Sequence, residues 1–172
     1  MRIKKVKIKD EKVYIEYEKR NKKDGYDEFT MKCAEKAVPA FYTTLYDLSK
    51  YVIEMCELPK DRTDRIRVSG VSYSYGGDSE TMGATIIAQM ILKESVTDLN
   101  LVTPHKAEEY YNDSDNGDPA SLLSGDCVDD LIGLQEECIK YINGEREQVP
   151  LFDEKKAQGT TVYTLDQASV PA

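Results

Sequence analysis

One change of parity constrains this chain more than any other feature, and it lies between Arg65 and Lys106. Ile66 and Val68 alternate with Arg65 and Arg67, the period-2 pattern of a half-buried strand. After Gly70 the apolar positions shift by one, to Val71, Tyr73 and Tyr75. A strand that keeps one buried face through such a shift most simply contains a β-bulge at the glycine. Gly76-Gly77-Asp78-Ser79 supplies turn residues, and Thr81–Leu92 is apolar and β-branched enough to be the returning strand. Leu99–Thr103 reads as a further strand stopped by Pro104. A competing helix over Thr81–Leu92, capped by Ser79 with Met82, Ile86 and Met90 on one face, would abolish this hairpin. The β-branching and the Gly-Gly turn favour the strand.

The flanking sequence extends the sheet and covers it. Ile3, Val6 and Ile8, then Val13, Ile15 and Tyr17, flank Asp10-Glu11 and predict an opening hairpin. Phe29, Met31 and Cys33 alternate along a third strand. From Pro39, suited to a first helical turn, the residues Phe41, Leu45, Leu48, Val52 and Met55 follow at helical spacing. They predict one long helix from about Pro39 to Glu57 that supplies most of the core. A second helix is expected after Asp126 as its cap, with Cys127, Leu131, Leu134 and Cys138 buried and Asn143-Gly144 as its stop. The expected fold is α+β: an antiparallel sheet of five or six strands in order ββ-β-α-β-β-β-α. The long helix packs on one face and the C-terminal helix lies at the end or edge. Residues 1–144 form a single domain and residues 145–172 a flexible tail.

Charge is distributed unevenly. The chain carries a net charge of −9, yet residues 1–23 hold ten Lys and Arg against four Asp and Glu. Between Ala107 and Glu154 there are fourteen acids and two bases. The basic hairpin has two readings. Lys5, Lys7 and Lys9 can grip phosphates of single-stranded nucleic acid. Alternatively, the hairpin is an outer strand whose lysines prevent edge-to-edge pairing, the reading favoured by the scarcity of interleaved aromatics. The acidic half raises a further class, an inhibitor of a host or defence protein whose surface mimics DNA.

Metal, redox and membrane chemistry find little purchase. The single histidine, His105, argues against a zinc centre, and Cys33, Cys56, Cys127 and Cys138 show no CxxC spacing, so reduced thiols are expected. Asp113, Asp115 and Asp118 resemble a calcium loop in composition, but glycine and ligand fall in the wrong order. No apolar run approaches a membrane span. Gly76-Gly77-Asp78-Ser79 lacks the lysine of a phosphate-binding loop. Ser72, Ser74 and Ser79 have no base near them in sequence, and His105 reaches them only through tertiary structure. The expectation is a cytoplasmic, non-enzymatic protein without a cofactor.

The tail contains one short motif with a mechanism. Gln148-Val149-Pro150-Leu151-Phe152 resembles the Gln-x-x-Leu-Phe peptide with which bacterial replication and repair proteins bind the DNA sliding clamp. The resemblance implies that Gln148 occupies a polar part of a clamp pocket while Leu151 and Phe152 fill its apolar part. Two adjacent large apolar residues in a polar tail are also physically suited to be anchors for a partner. Val149 and Pro150 depart from the Leu and Ser/Asp that such peptides favour. The segments GVSYSYGGDSETMGATI, NLVTPHK and YINGEREQVPLF are similar to small proteins of phages and prophages of Gram-positive bacteria. That resemblance implies a host bacterial cell as the setting and a replication-associated role. The leading expectation is therefore an accessory protein bound to the host clamp through its tail, with nucleic-acid binding by the N-terminal hairpin as the alternative.

Overall fold

A computed structural model of the chain describes residues 1–109 and 119–148. The elements run β1 (Arg2–Lys9), β2 (Lys12–Arg20), β3 (Tyr26–Cys33), α1 (Pro39–Asp47), α2 (Ser49–Met55), β4 (Ile66–Gly76), β5 (Thr81–Met90), β6 (Leu99–Val102), β7 (Lys106–Ala107) and α3 (Gly125–Ile142). Short 3-10 turns occupy Lys60–Arg65 and Pro119–Ser121. The strands form one antiparallel sheet in the order β3-β2-β1-β4-β5-β6, and β7 also pairs with β5.

The parity change marks the bulge. The β4–β5 register shifts between Val68 and Gly70, so Val68, Val71 and Tyr73 all reach the buried face. Glycine is required there for space: a Cβ on Gly70 would lie 2.5 Å from the Val6 carbonyl oxygen of β1. The β1–β2 turn is tight, with Asp10 and Glu11 both at positive φ (51° and 60°).

All three helices cover one face of the sheet. Ile3, Val6, Val13, Ile15, Val71 and Ile86 from the strands join Phe41, Leu45, Leu48, Val52, Leu131, Leu134 and Cys138 from the helical layer in one core cluster. Each fully buried aliphatic side chain there contributes roughly 1.5–3 kcal/mol of transfer free energy. Two buried tyrosine hydroxyls on this side find backbone partners. The Tyr73 hydroxyl donates to the Leu131 carbonyl (3.1 Å), and the Tyr141 hydroxyl donates to that of Glu35 (2.6 Å).

Three expectations need correction. The Pro39–Glu57 segment is two helices, α1 and α2, broken at Leu48, where ψ is −8°. The dihedrals remain close to helical, so the apolar stripe keeps its phase, and Phe41, Leu45, Leu48 and Val52 are all fully buried. The longest helix is α3, 18 residues, and it lies over the sheet and against α1 rather than at an edge, contributing Leu131, Leu134 and Cys138 to the core centre. Its N-cap is Ser124, whose hydroxyl accepts from the Cys127 N–H, while Asp126 sits in the first turn. All four cysteines are free, with Cys127 and Cys138 buried.

Candidate functional site

Among the described residues, no helix packs on the face of the sheet opposite α1, α2 and α3. On β1, Ile3, Val6 and Ile8 turn toward the helices, which sends Lys5, Lys7 and Lys9 to the other side. In register with them on β2 stand Glu16, Tyr14 and Lys12, and on β4 Ser72 is opposite Lys5 and Gly70 opposite Lys7. Lys5, Lys7, Lys9, Tyr14 and Glu16 line a shallow depression of about 250 Å³.

The outer-strand reading of these lysines fails. β1 is an interior strand, bonded to β2 on one side and to β4 on the other. Its ladder is occupied on both sides over Lys5–Lys7, so Lys5 and Lys7 protect no edge. The edges of the sheet are β3 and β6.

The basic residues of β1 divide into two groups. Arg2 is neutralised: it pairs with Glu18 (3.0 Å) and Glu80 (3.0 Å), and its guanidinium lies 3.6 Å from the centre of the Tyr26 ring. Lys4 also pairs with the buried Glu18 (3.4 Å). Glu80 at the β4–β5 hairpin tip is thus bound within the protein and accepts from the Tyr26 hydroxyl as well. Lys5 has only a loose contact with Glu16, 4.0 Å, both side chains substantially exposed. Among the described residues no carboxylate pairs with Lys7 or Lys9. Lys9 also stands directly opposite Lys12. Like charges facing each other across a ladder destabilise it, so stability alone does not account for this row.

One aromatic ring sits among these cations. Tyr14 lies between Lys7 and Lys32 in the register of β1, β2 and β3, and the Lys32 Nζ is 5.2 Å from its ring centre.

A second polar cluster lies further along the same face. Ser74 Oγ and His105 Nε2 are 2.7 Å apart, although 31 residues separate them. The placement of His105 follows from two anchors on β5. Thr103 exchanges two hydrogen bonds with Ile86, its N–H donating to the Ile86 carbonyl and its hydroxyl accepting from the Ile86 N–H. On the other side, Lys106 and Ala107 pair with Ala84 and Gly83. Between these anchors the imidazole lies over Gly83, where a Cβ would come within 2.5 Å of Nε2 and 2.6 Å of Ser74 Oγ. For acyl transfer such a pair needs an orienting carboxylate and free donors for an oxyanion. Among the described residues no carboxylate pairs with His105, and Ser74 lies within the β4–β5 ladder.

The start of the C-terminal segment is held to the domain. Arg146 pairs with Glu35 (3.1 Å), lies 3.5 Å from the Tyr141 ring centre and donates to the Tyr141 carbonyl. The Glu147 N–H donates to the Lys36 carbonyl (3.0 Å). Gln148 follows at once and is exposed beside Val38 and Pro39. Leu151 and Phe152 lie outside the described residues, as do Asp113, Asp115 and Asp118.

Among the described residues, no group of three or more His, Cys, Asp or Glu side chains comes together to hold a metal ion, and no helix is long and apolar enough to cross a membrane. Fold and surface together define a two-layer α+β domain, with helices on one sheet face and, among the described residues, a lysine-bearing face without a helical layer on the other. Comparison with protein-family models, curated proteins and solved structures finds no match for the chain.

Proposed function

We propose that the protein is a non-enzymatic nucleic-acid-binding factor that holds single-stranded DNA across the open face of its sheet. The observation that carries this reading is the position of Lys5, Lys7 and Lys9 on an interior strand, aimed at solvent, with Lys7 and Lys9 unpaired among the described residues. A row of cations across the face of a sheet six strands wide suits a flexible strand, because a sheet this wide does not enter a duplex groove. Tyr14 adds a ring on which a base can stack, with an expected value of roughly 1–3 kcal/mol. The overall negative charge does not oppose this arrangement, because, among the described residues, Glu16 is the one acid lining the depression and most acids lie elsewhere. β1 carries five basic residues and no acid, whereas α3, on the far layer, carries five acids and one base. Fluorescence anisotropy with a labelled 20-nucleotide oligo-dT at low salt tests the reading. The native protein should bind, and the triple substitution Lys5→Glu, Lys7→Glu, Lys9→Glu should abolish binding. Equal binding by both proteins would refute it.

A second reading concerns the tail, and it is favoured by the exposure of Gln148 immediately after a pinned residue. Here Gln148, Leu151 and Phe152 form a peptide that docks on a bacterial sliding clamp, and the domain is carried beside the clamp rather than on a long tether. Calorimetry of the intact protein against clamps from Gram-positive bacteria should show binding on the order of micromolar, since a short peptide buries little area. The double substitution Leu151→Ala, Phe152→Ala should remove it. The two readings are compatible, because a clamp-bound factor works beside DNA.

A further inference from the structure

We propose that Ser72, Ser74, Thr85 and His105, beside Lys5, form the phosphate-contacting subsite of the open face. The inference rests on the open-face reading and names where on that face a phosphodiester oxygen is held.

The register brings the first part together. Lys5, Ser72 and Thr85 are direct cross-strand neighbours on β1, β4 and β5. Adjacent strands lie about 4.8 Å apart, so one lysine and two hydroxyls line a short row on the side without helices. Ser72 and Thr85 are half-buried, and among the described residues their hydroxyls have no side-chain partner. One step along the strands stands the Ser74–His105 pair.

The chemistry of that pair suits an oxyanion in either tautomer. If the Ser74 hydroxyl donates to Nε2, the imidazole carries its proton on Nδ1 and has that N–H left to give. If Nε2–H donates to Ser74, the hydroxyl hydrogen is left instead. Each arrangement keeps one spare donor. Acceptor-only groups are scarce beside it: β4 presents Ser72 and Ser74 and β5 presents Gly83 and Thr85, while Glu16 lies on the far side of Lys5. Gly83 completes the site by its lack of a side chain, since any Cβ there would occupy the position of the imidazole edge. The cation row then runs away from this cluster through Lys7 and Lys9, repeating about every 7 Å along the strand. Repeating positive charge fits a chain of phosphates better than a single carboxylate.

The test uses the full-length protein with fluorescein-labelled oligo-dT, and inorganic polyphosphate in parallel. His105→Ala removes the imidazole; Gly83→Ala removes no polar group but displaces the imidazole and the Ser74 hydroxyl from their contact. Each should weaken oligo-dT binding three- to tenfold while thermal melting confirms a folded protein. Ser72→Ala should weaken binding by a similar factor. If these variants bind oligo-dT as the native protein does while the lysine triple variant does not, the subsite is wrong and the open-face reading stands. If the native protein binds neither probe, both fall. If it binds polyphosphate alone and His105→Ala weakens that, the phosphate subsite stands and the nucleic-acid reading fails.

Discussion

Single residues carry the geometry of the open face. Gly70 sits so close to β1 that a methyl group would strike the Val6 carbonyl, a backbone atom unable to move aside. Gly70→Ala should therefore destabilise the domain by about 1–3 kcal/mol, the usual cost of overpacking, read as a lower denaturant midpoint. An unchanged midpoint would mean that β1 and β4 are not packed this closely. The tyrosines of the core give a second test. Burial holds the Tyr73 hydroxyl well above the ordinary tyrosine range, and burial likewise pushes Tyr75 and Tyr51 up to about 12. A group whose folded pKa is raised contributes stability that is complete below its unfolded pKa, near 10, and is lost as pH rises towards the folded value. Stability should thus fall above about pH 10. Of the twelve tyrosines, some should ionise normally and the buried ones only as the protein unfolds, seen as a late step in absorbance near 295 nm that coincides with loss of circular dichroism. Normal ionisation of all twelve in a folded protein would contradict the packing.

At the scale of elements, strands were legible where their signals are local. Alternation, the Gly-Gly turn and the slip at Gly70 predict β4 and β5 because each signal lies within a few residues of its effect. The break at Leu48 left no trace, since neither Gly nor Pro marks it and the apolar stripe runs through unchanged. The α3 cap was displaced by two residues because Ser124 and Asp126 are both good capping types, and only the Cys127 N–H distinguishes them. Ser124→Ala should cost about 1 kcal/mol and Asp126→Ala clearly less. The reverse order would return the cap to Asp126. Lys5, Lys7 and Lys9 were legible as a basic row, but neither their interior position nor the Ser74–His105 pair was, for the same reason: both depend on pairing between distant segments. β1 becomes interior only through Lys5, Val6 and Lys7 facing Ser72, Val71 and Gly70, and His105 meets Ser74 across 31 positions of sequence. No local periodicity encodes either meeting.

At the scale of the molecule, the sheet separates the charges. The N-terminal excess of lysine, which in the sequence looked like protection for an edge, is turned outward from the middle of the sheet. The acidic excess of α3 is on the opposite layer, where Lys50 pairs with Asp130 (2.9 Å) and Lys140 with Glu137 (2.6 Å). A chain of net charge −9 is thereby compatible with a locally cationic face. The most direct measurement of that face is the salt dependence of oligo-dT binding. Each phosphate neutralised on a single strand contributes a slope of about −0.7 to log K against log salt, so three lysines predict about −2. Replacing Lys7 alone with Ala should make the slope shallower by about 0.7. A native slope near zero, or one that Lys7→Ala leaves unchanged, would contradict the claim that this row of lysines holds the strand.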